Sequence, residues 1–281
     1  MPSYDTPAPI SVTAHVEAGS IRIAAADRAD TVVEVLPRNP KKDADRRAVE
    51  QTEVSFANGT LSVKTPKFRN TLRKPGTVDV TVELPTGSAV DVTAAWAQVL
   101  GEGRLGEVRV KTSSGDTRLD TTGPLRLTAS HGSITVERVD GTAEITTSTG
   151  SLRVGSVSGS AVLKNSHGTT SVDLVGGDLR VSGANGDIDV RRAEGSVTAT
   201  TAHGTIRVGE VTRGTAQLET SYGAIEVGIR QGTAAWLDVN SGAGQVRNML
   251  TGSDAPAENE ETVKVHARTR YGNIDVLRAR G

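Results

Sequence analysis

Three histidines, His131, His167 and His203, stand 36 residues apart in the sequence, and a glycine directly follows each of them. Imidazole nitrogens hold metal ions at about 2.0–2.1 Å. If every eighteen residues of the chain form one coil of a β-solenoid, these three side chains lie in one column on alternate coils, roughly 9.6 Å apart. A single ion does not bridge that distance, and the chain has no Cys to supply a thiolate ligand, a nucleophile or a disulfide. The sequence therefore predicts polar corner residues and no metal site.

Carboxylates are the next residues that could do chemistry. Asp173, Asp189 and Glu226 point outward along predicted strands, but a glycosidase needs two carboxylates at a set separation, and these do not cluster. A repetitive calcium site would need an Asp after each repeat glycine. Asp116 and Asp187 fit that pattern, but the equivalent positions elsewhere hold hydroxyl residues, namely Ser133, Ser151, Thr169 and Thr205. We therefore predict no catalytic residue and no cofactor, and an enzyme acting on an extended polymer such as a polysaccharide is the open alternative.

The densest cluster of positive charge is a basic segment over residues 64–74, and it is the candidate partner-binding site. Its residues are Lys64, Lys67, Phe68, Arg69, Arg73 and Lys74. Such a cluster suits phosphate, anionic lipid or an acidic protein surface, or it is simply a solvated loop. An acidic segment over residues 254–261 has the opposite charge, so the two segments could pair within one chain or between chains. Partner binding or self-association that weakens with salt is the expected consequence.

Composition limits the function classes further. Of 281 residues 36% are hydrophobic but only 2% are aromatic, which predicts a thin aliphatic core built from β-strands. The formal net charge is −1, and no window is apolar enough to span a membrane, so neither nucleic acid nor membrane insertion is indicated. The N-terminus lacks the features of a signal peptide. We expect a soluble, cytoplasmic protein with a single domain over residues 1–281.

A glycine repeat in the sequence sets the positions of the candidate side chains. The glycines recur every nine residues over Gly132, Gly141, Gly150, Gly159, Gly168, Gly177, Gly186, Gly195 and Gly204. Alternate glycines precede apolar residues at even offsets, such as Ile188 and Val190 after Gly186, so these residues share one strand face. The unit is therefore about eighteen residues long, with two short strands and a glycine at each corner. The strands that follow these alternate glycines predict one buried column in which Ile134, Leu152, Ile188, Ile206 and Ile225 each contact the next.

Two all-β architectures satisfy this repeat. In a parallel β-solenoid, which resembles a β-helix, each unit forms one coil and equivalent residues stack about 4.8 Å apart. In an antiparallel β-meander, successive strands pair with each other. The two halves of the unit differ, because only one begins with Ser/Thr-x-Gly and carries an apolar residue seven positions later. A coil gives each half its own column, so we predict the parallel solenoid.

The flanking regions depart from the repeat. Residues 8–105 form an irregular N-terminal portion that we interpret as a cap, with a short charged helix within 39–54 and a hairpin at Asn58-Gly59. Regular repeats follow over 106–249. Residues 250–262 are polar and acidic and predict a flexible loop. Residues 263–278 predict the closing strands.

The repeat motifs resemble a known bacterial family. They are "SSGDTRLD", "SHGSITV", "STGSLRV", "ANGDIDV", "AHGTIRV" and "RYGNIDV", and the segments "GTAAWLDVNSGAGQVRN" and "VEVLPRNP" add to the resemblance. The family comprises β-strand-repeat proteins of unknown function, often called adhesins and also known as toastrack domains, and the likeness extends over roughly residues 10–277. It implies an all-β solenoid-like rack without established catalysis and a role as a protein-interaction scaffold. Some relatives are tied to membranes through other domains and are linked to envelope-stress systems.

From residues and resemblance together we expect a non-catalytic scaffold or protein-interaction module in a bacterial stress or signalling complex. Its partner is an unidentified protein, and self-association is a further expectation.

Overall fold

The structure is a computed structural model that describes residues 2–67, 76–250 and 261–279. The chain divides into two compact units, Met1–Asp140 and Gly141–Gly281. The described part of the first unit contains one helix, α1 Asp43–Glu50. Its strands are β1 Ser3–Asp5, β2 Ser11–Ala26, β3 Asp30–Pro37, β4 Glu53–Ala57, β5 Thr60–Lys64, β6 Val78–Pro85, β7 Ala89–Arg104, β8 Val108–Ser114, β9 Thr117–Thr122, β10 Leu125–His131 and β11 Ile134–Val139.

The described part of the second unit consists of strands and their corners. The strands are β12 Ala143–Thr149, β13 Leu152–Val157, β14 Ala161–His167, β15 Thr170–Val175, β16 Leu179–Asn185, β17 Ile188–Ala193, β18 Val197–His203, β19 Ile206–Val211, β20 Gly214–Tyr222, β21 Ile225–Ile229, β22 Ala234–Ala243, β23 Val246–Asn248, β24 Thr262–Tyr271 and β25 Ile274–Arg278. Within the ranges that the structure describes, no helix is long and apolar enough to cross a membrane.

The second unit is a parallel β-solenoid with two strands per coil. The first strands of successive coils, β12, β14, β16 and β18, pair in parallel, with Ala143 beside Ala161, Ala161 beside Leu179 and Leu179 beside Val197. The second strands pair in the same way from β13 to β19. Partners lie eighteen residues apart, as the glycine repeat predicts. The parallel solenoid is thus confirmed, and the antiparallel meander is excluded.

The core of each coil is a thin row of aliphatic side chains. Ile188 stands beside Ile206, and Ile206 beside Ile225, all at most 2% exposed. The predicted direct contact between Leu152 and Ile188 is wrong, because the buried Thr170 occupies the coil between them. A threonine fits there because it has the β-branched shape of valine.

Close approach between coils explains the glycine at the first corner. Gly204 has φ +141°, and a Cβ atom there would lie 2.2 Å from the carbonyl oxygen of Gly186 in the preceding coil. Only glycine tolerates both the positive φ and the contact. Buried polar side chains complete these corners: the Thr220 hydroxyl donates to the Gly204 carbonyl at 3.1 Å, and the Thr269 hydroxyl donates to Gly223 at 3.0 Å. These hydrogen bonds satisfy carbonyls that the sharp corner removes from solvent.

The last coils of the second unit are stacked out of chain order. β24 pairs in parallel with β20 on one side and with β22 on the other. Among the second strands of the coils, β25 likewise lies between β21 and β23. The predicted closing strands therefore form the penultimate coil. The coil at the edge is β22 with β23, and we call it the edge coil.

The first unit also places strands out of chain order. The 16-residue β2 pairs in parallel with β7 along one side, and along the other with β5 and then β6, although both follow it in sequence. Antiparallel strands then end this stack, because β4 pairs with β5, β3 pairs with β6, and β1 pairs with β3.

Two local predictions for the N-terminal region are confirmed. Asn58 and Gly59 both have positive φ, and they join β4 to β5 as a hairpin. The charged helix forms as α1, but it is not wholly a surface element. Asp45 is 3% exposed, and its carboxylate accepts hydrogen bonds from the backbone N–H groups of Asn39 and Thr77 at 3.1 and 3.0 Å. This side chain fastens the helix to the chain segments on either side.

Candidate functional site

The basic segment is only partly within the described residues. Lys64 ends β5 beside Glu53 of β4, and both Lys64 and Lys67 are exposed. Phe68, Arg69, Arg73 and Lys74 lie outside the described residues. A surface cleft of about 360 Å³ borders the described part, and it is lined by His15, Gln51, Glu53, Lys64, Thr65, Pro66 and Lys67. The structure thus places two of the six predicted residues beside a cleft that also contains a histidine and a carboxylate.

The acidic segment is placed at one residue only. Glu261 lies 4.0 Å from the guanidinium of Arg213, and its carbonyl accepts a hydrogen bond from the Ala234 N–H. Asp254, Glu258 and Glu260 lie outside the described residues. The predicted pairing of the acidic and basic segments stays a prediction.

The outward carboxylates on the strands are engaged with arginines. Arg207 lies 3.4 Å from Asp189 and 3.3 Å from Glu226, on the coils before and after it. Arg207 donates hydrogen bonds to Glu226 and to Asp189, and these bonds, that to Glu226 first, raise the pKa of Arg207 above its ordinary value. Asp173 similarly lies 3.9 Å from Arg191. These ladders stabilise neighbouring coils and give the outer face alternating charge.

The histidines of the second unit occupy the predicted corner column. His167 stands beside Asn185, and Asn185 beside His203, so the histidines are on alternate coils. His131, in the first unit, stands beside Ser114. In the part of the chain that the structure describes, no three His, Asp or Glu side chains are grouped closely enough to hold a metal ion.

This corner column ends in a feature that the sequence interpretation missed, an aromatic ladder of His203, Tyr222 and Tyr271. The rings of His203 and Tyr222 stack with centroids 4.9 Å apart and planes at 3°, and Tyr222 and Tyr271 stack at 4.9 Å and 5°. The parallel register creates the ladder by placing the three residues side by side on β18, β20 and β24. The next position is Ala243 of β22, so one face of the Tyr271 ring has no aromatic neighbour in the register.

A groove of about 590 Å³ lies beside Tyr271, and we call it the Gly242 groove. Its lining residues are Glu219, Thr220, Ser221, Asn240, Gly242, Ala243, Arg268, Thr269, Arg270 and Tyr271. Gly242 of β22 lies close to the backbone of Arg270 on β24, where a Cβ atom at Gly242 would lie 2.9 Å from the Arg270 carbonyl oxygen. The groove combines an aromatic ring with two guanidinium groups, a carboxylate and an amide.

One wall of the groove is held by an ion-pair cluster. The carboxylate of Asp238 contacts His266 Nδ1 at 3.2 Å and accepts a hydrogen bond from Arg268 at 2.8 Å. The bond with His266 and the charge of Arg268 hold the pKa of the Asp238 carboxyl below its ordinary value. Arg268 is thereby fixed along the strand.

The edge coil exposes apolar side chains. The inward-facing Leu237 and Val239 of β22 are only half-buried, whereas their partners Val265 and Ala267 on β24 are 0% exposed. On the outer face Trp236 is 63% exposed. Val246 and Met249, at the second strand of the coil, are 43% and 57% exposed. The edge coil therefore leaves an apolar surface uncovered by the described residues.

Together, the eighteen-residue parallel coils and the glycine corners define a β-solenoid, and the aromatic ladder is exposed on its last coils. The chain belongs to the Toastrack DUF4097 family, whose model matches residues 10–277. The resemblance inferred from the repeat motifs is confirmed. A comparison with curated proteins gives no match.

Three solved structures are similar over nearly their full length. A "putative adhesin" from Parabacteroides merdae is 11% identical, with 98% of this chain and 94% of that chain covered and a TM-score of 0.44. A "putative lipid binding protein" from Parabacteroides distasonis is 13% identical, with 99% and 96% covered and a TM-score of 0.39. A "putative adhesin" from Bacteroides fragilis is 13% identical, with 98% and 95% covered and a TM-score of 0.36. None of these three names states a catalysed reaction.

Proposed function

We propose that the protein is a non-catalytic interaction module that presents its β-surface to a protein partner, in a bacterial stress or signalling complex. The observation that carries this proposal is the aromatic ladder ending in the open ring of Tyr271 beside the Gly242 groove. Cytoplasmic localisation, proposed from the sequence, is tested by cell fractionation with an antibody against the chain.

The surface chemistry of the second unit supports binding at the aromatic ladder and the Gly242 groove. Along the regular coils, outward charges are matched by neighbours, as Arg207 is by Asp189 and Glu226. Matched, solvated ladders contribute little to binding. The ladder and groove differ, because Tyr271 is 54% exposed and no ion pair to Arg270 is formed by the residues that the structure describes. Exposed tyrosine and arginine are the residue types that most often anchor protein interfaces.

The alternative of a polymer-cleaving enzyme gains no support from the outward carboxylates. Asp189 and Glu226 bind one arginine between them, and its guanidinium contacts an oxygen of each carboxylate. A glycosidase instead needs two carboxylates that are free to act on the substrate at a set separation. We therefore develop the binding function alone.

The test compares partner capture by the wild-type chain with capture by Tyr271→Ser. The matched control is Trp96→Ser in the first unit, which removes an aromatic side chain of similar exposure, 56%, from a corner position beside Ser114. We expect Tyr271→Ser to lose a partner from native bacterial lysate that the control retains, and the identified partner, once purified, to bind the wild type directly. Equal capture by all three chains would show that the ladder is not a binding surface.

A further inference from the structure

We propose that a second copy of this chain binds the edge coil, with two β22 strands pairing antiparallel about a two-fold axis at Val239. The inference rests on the proposed function, because it identifies a partner for the surface described there. The observation that supports it is that β22 carries a protruding side chain, Trp236, and also lines a surface that can receive it, the Gly242 groove.

One edge of the β22 backbone is not paired by any other described strand. Among the described strands β22 pairs with β24 alone, through Ala234 to Ala243. The opposite edge carries a row of backbone N–H and C=O groups over ten residues. Such an edge is a template for pairing with another strand unless it is short, charged or covered. Here the strand is long, and its only charged residue is Asp238, which His266 and Arg268 of the same chain already bind.

The inward row of the edge coil indicates what the added strand must supply. Leu237 and Val239 have buried partners on the β24 side, and their half-exposed surfaces face the free edge. A strand of this chain brings its own inward row, which continues the core across the new pairing. A two-fold axis at a residue keeps both inward rows on the same side, because directly opposed residues in an antiparallel pair point to the same face.

Two-fold axes at Leu237, Asp238, Val239 and Asn240 lie nearest the middle of β22, and the side chains favour the one at Val239. An axis at Asn240 pairs only residues 237–243. An axis at Asp238 opposes two copies of that carboxylate, which is unfavourable. An axis at Leu237 pairs only residues 234–240 and leaves the end of the strand unpaired. An axis at Val239 pairs residues 235–243, opposes Val239 with itself and places Asp238 against the amide of Asn240.

The register at Val239 also fills the groove. It places Trp236 of each copy opposite Gly242 of the other, because the two positions are equidistant from Val239. Trp236 is 63% exposed, and Gly242 has no side chain to oppose it. The indole then covers the Gly242 groove, where Arg268 and Arg270 offer cation–π contacts. Two-fold symmetry makes both insertions at once, as an isologous interface requires.

The first test is sedimentation equilibrium of the purified wild type, Trp236→Ser and Trp96→Ser. We expect the wild type and the Trp96→Ser control to form dimers. Trp236→Ser should raise the dimer dissociation constant roughly tenfold or more, as truncation of a central aromatic anchor does. Because Trp236 is exposed, its replacement should leave the circular dichroism spectrum and melting temperature of the monomer unchanged. A wild type that stays monomeric, or a dimer indifferent to Trp236→Ser, overturns the proposal.

The second test determines the register, and it uses the absence of cysteine from the chain. Val239→Cys, Asp238→Cys and Leu237→Cys each introduce one thiol that meets its own copy only when the two-fold axis lies at that residue. Under mild oxidation we expect the disulfide-linked dimer to form fastest with Val239→Cys. Faster cross-linking of either other variant overturns the register.

Hydrogen exchange of the β22 amides distinguishes a second copy from residues of the same chain that cover the edge. Protection that increases with protein concentration supports the dimer, whereas protection that is independent of concentration overturns it. A wild type that stays monomeric but still captures a partner through Tyr271 overturns this inference and leaves the proposed function in place. A wild type that neither dimerises nor captures a partner through Tyr271 overturns both.

Discussion

The two units differ in whether further strands cover the coil at the edge of each stack. In the first unit β5 and β6 lie outside β2, and in the second unit the edge coil lies outside β24 and β25. Each unit thus stacks one coil out of chain order. In the first unit antiparallel strands and α1 follow that coil, whereas in the second unit the described residues place nothing over it.

Burial of equivalent side chains shows the consequence. Leu61 of β5 and Val80 of β6 are at most 1% exposed, because β4 and β3 complete their surroundings. Leu237 and Val239 of the edge coil are half-buried. The first unit ends its stack with β4 and the three-residue β1, and short strands offer little to a pairing partner. The first edge is therefore covered by antiparallel strands, and the second is left uncovered by the residues that the structure describes.

The largest expected effect tests this difference in core energetics. Leu61→Ala removes a fully buried side chain from the capped edge and should lower the free energy of unfolding by about 2–5 kcal/mol. Leu237→Ala, at an inward position of the edge coil, should cost less in the monomer, about 1–2 kcal/mol, because the side chain is only partly buried. Denaturant melts at low protein concentration measure both. Equal losses would mean that the two edges are equally well packed.

A second prediction concerns the fastening of the cap. Asp45→Ala leaves the N–H groups of Asn39 and Thr77 without their acceptor, which should cost about 1–3 kcal/mol. Asp43→Ala is the matched control on the same helix, since that side chain is 72% exposed and pairs with Arg46; it should change stability by about 0.5 kcal/mol or less. If the two variants melt alike, Asp45 does not hold the cap in place.

The coils were predictable because a local rule generates them. Gly186 and Gly204 must be glycine for close approach, and Ile188 and Ile206 must be apolar to face inward, so the repeat is visible in a single sequence. The order of the last coils was not predictable. Val263, Val265 and Ala267 of β24 have the same inward pattern as Ala235, Leu237 and Val239 of β22, so either strand could pack against β20. Only the long-range pairing decides the order.

The candidate site was predictable only in its parts. Tyr222 precedes Gly223 as His203 precedes Gly204, but Tyr271 lies 49 residues after Tyr222, which is not a multiple of the repeat. The available signal was that both tyrosines directly precede a repeat glycine, in "SYG" and "RYG". The Gly242 groove depends on a strand packed out of order, so no local pattern indicated it. The basic segment was evident from charge alone, and four of its six residues lie outside the described ranges.

A third prediction tests whether recognition is confined to the uncapped edge. The basic segment adjoins the first unit, so the triple variant Lys67→Glu, Arg69→Glu and Lys74→Glu removes its positive charge without touching the edge coil. If the segment recognises an acidic surface, capture of the partner should weaken several-fold at low salt and lose its salt dependence. The control reverses three exposed charges near α1, Lys41→Glu, Lys42→Glu and Arg47→Glu. Unchanged capture by the triple variant would identify the basic segment as a solvated linker.

The smallest expected effect compares one carboxylate near each edge. Arg28 lowers the pKa of the Asp30 carboxyl in the first unit, and His266 with Arg268 lowers that of Asp238 on the edge coil. A folded-state pKa below the unfolded value stabilises the fold above the unfolded pKa, and this contribution is lost as the pH falls through the lowered folded value. Both side chains are solvated, so their contribution to the free energy of unfolding is small, and the titration of each carboxyl is the more sensitive measurement.

In carboxyl-detected NMR, Asp30 and Asp238 should both titrate below the ordinary value of 3.8. Arg268→Ala should move only the Asp238 midpoint upward, and Arg28→Ala only that of Asp30. An Asp238 midpoint that ignores Arg268→Ala would show that this arginine is free to turn into the Gly242 groove.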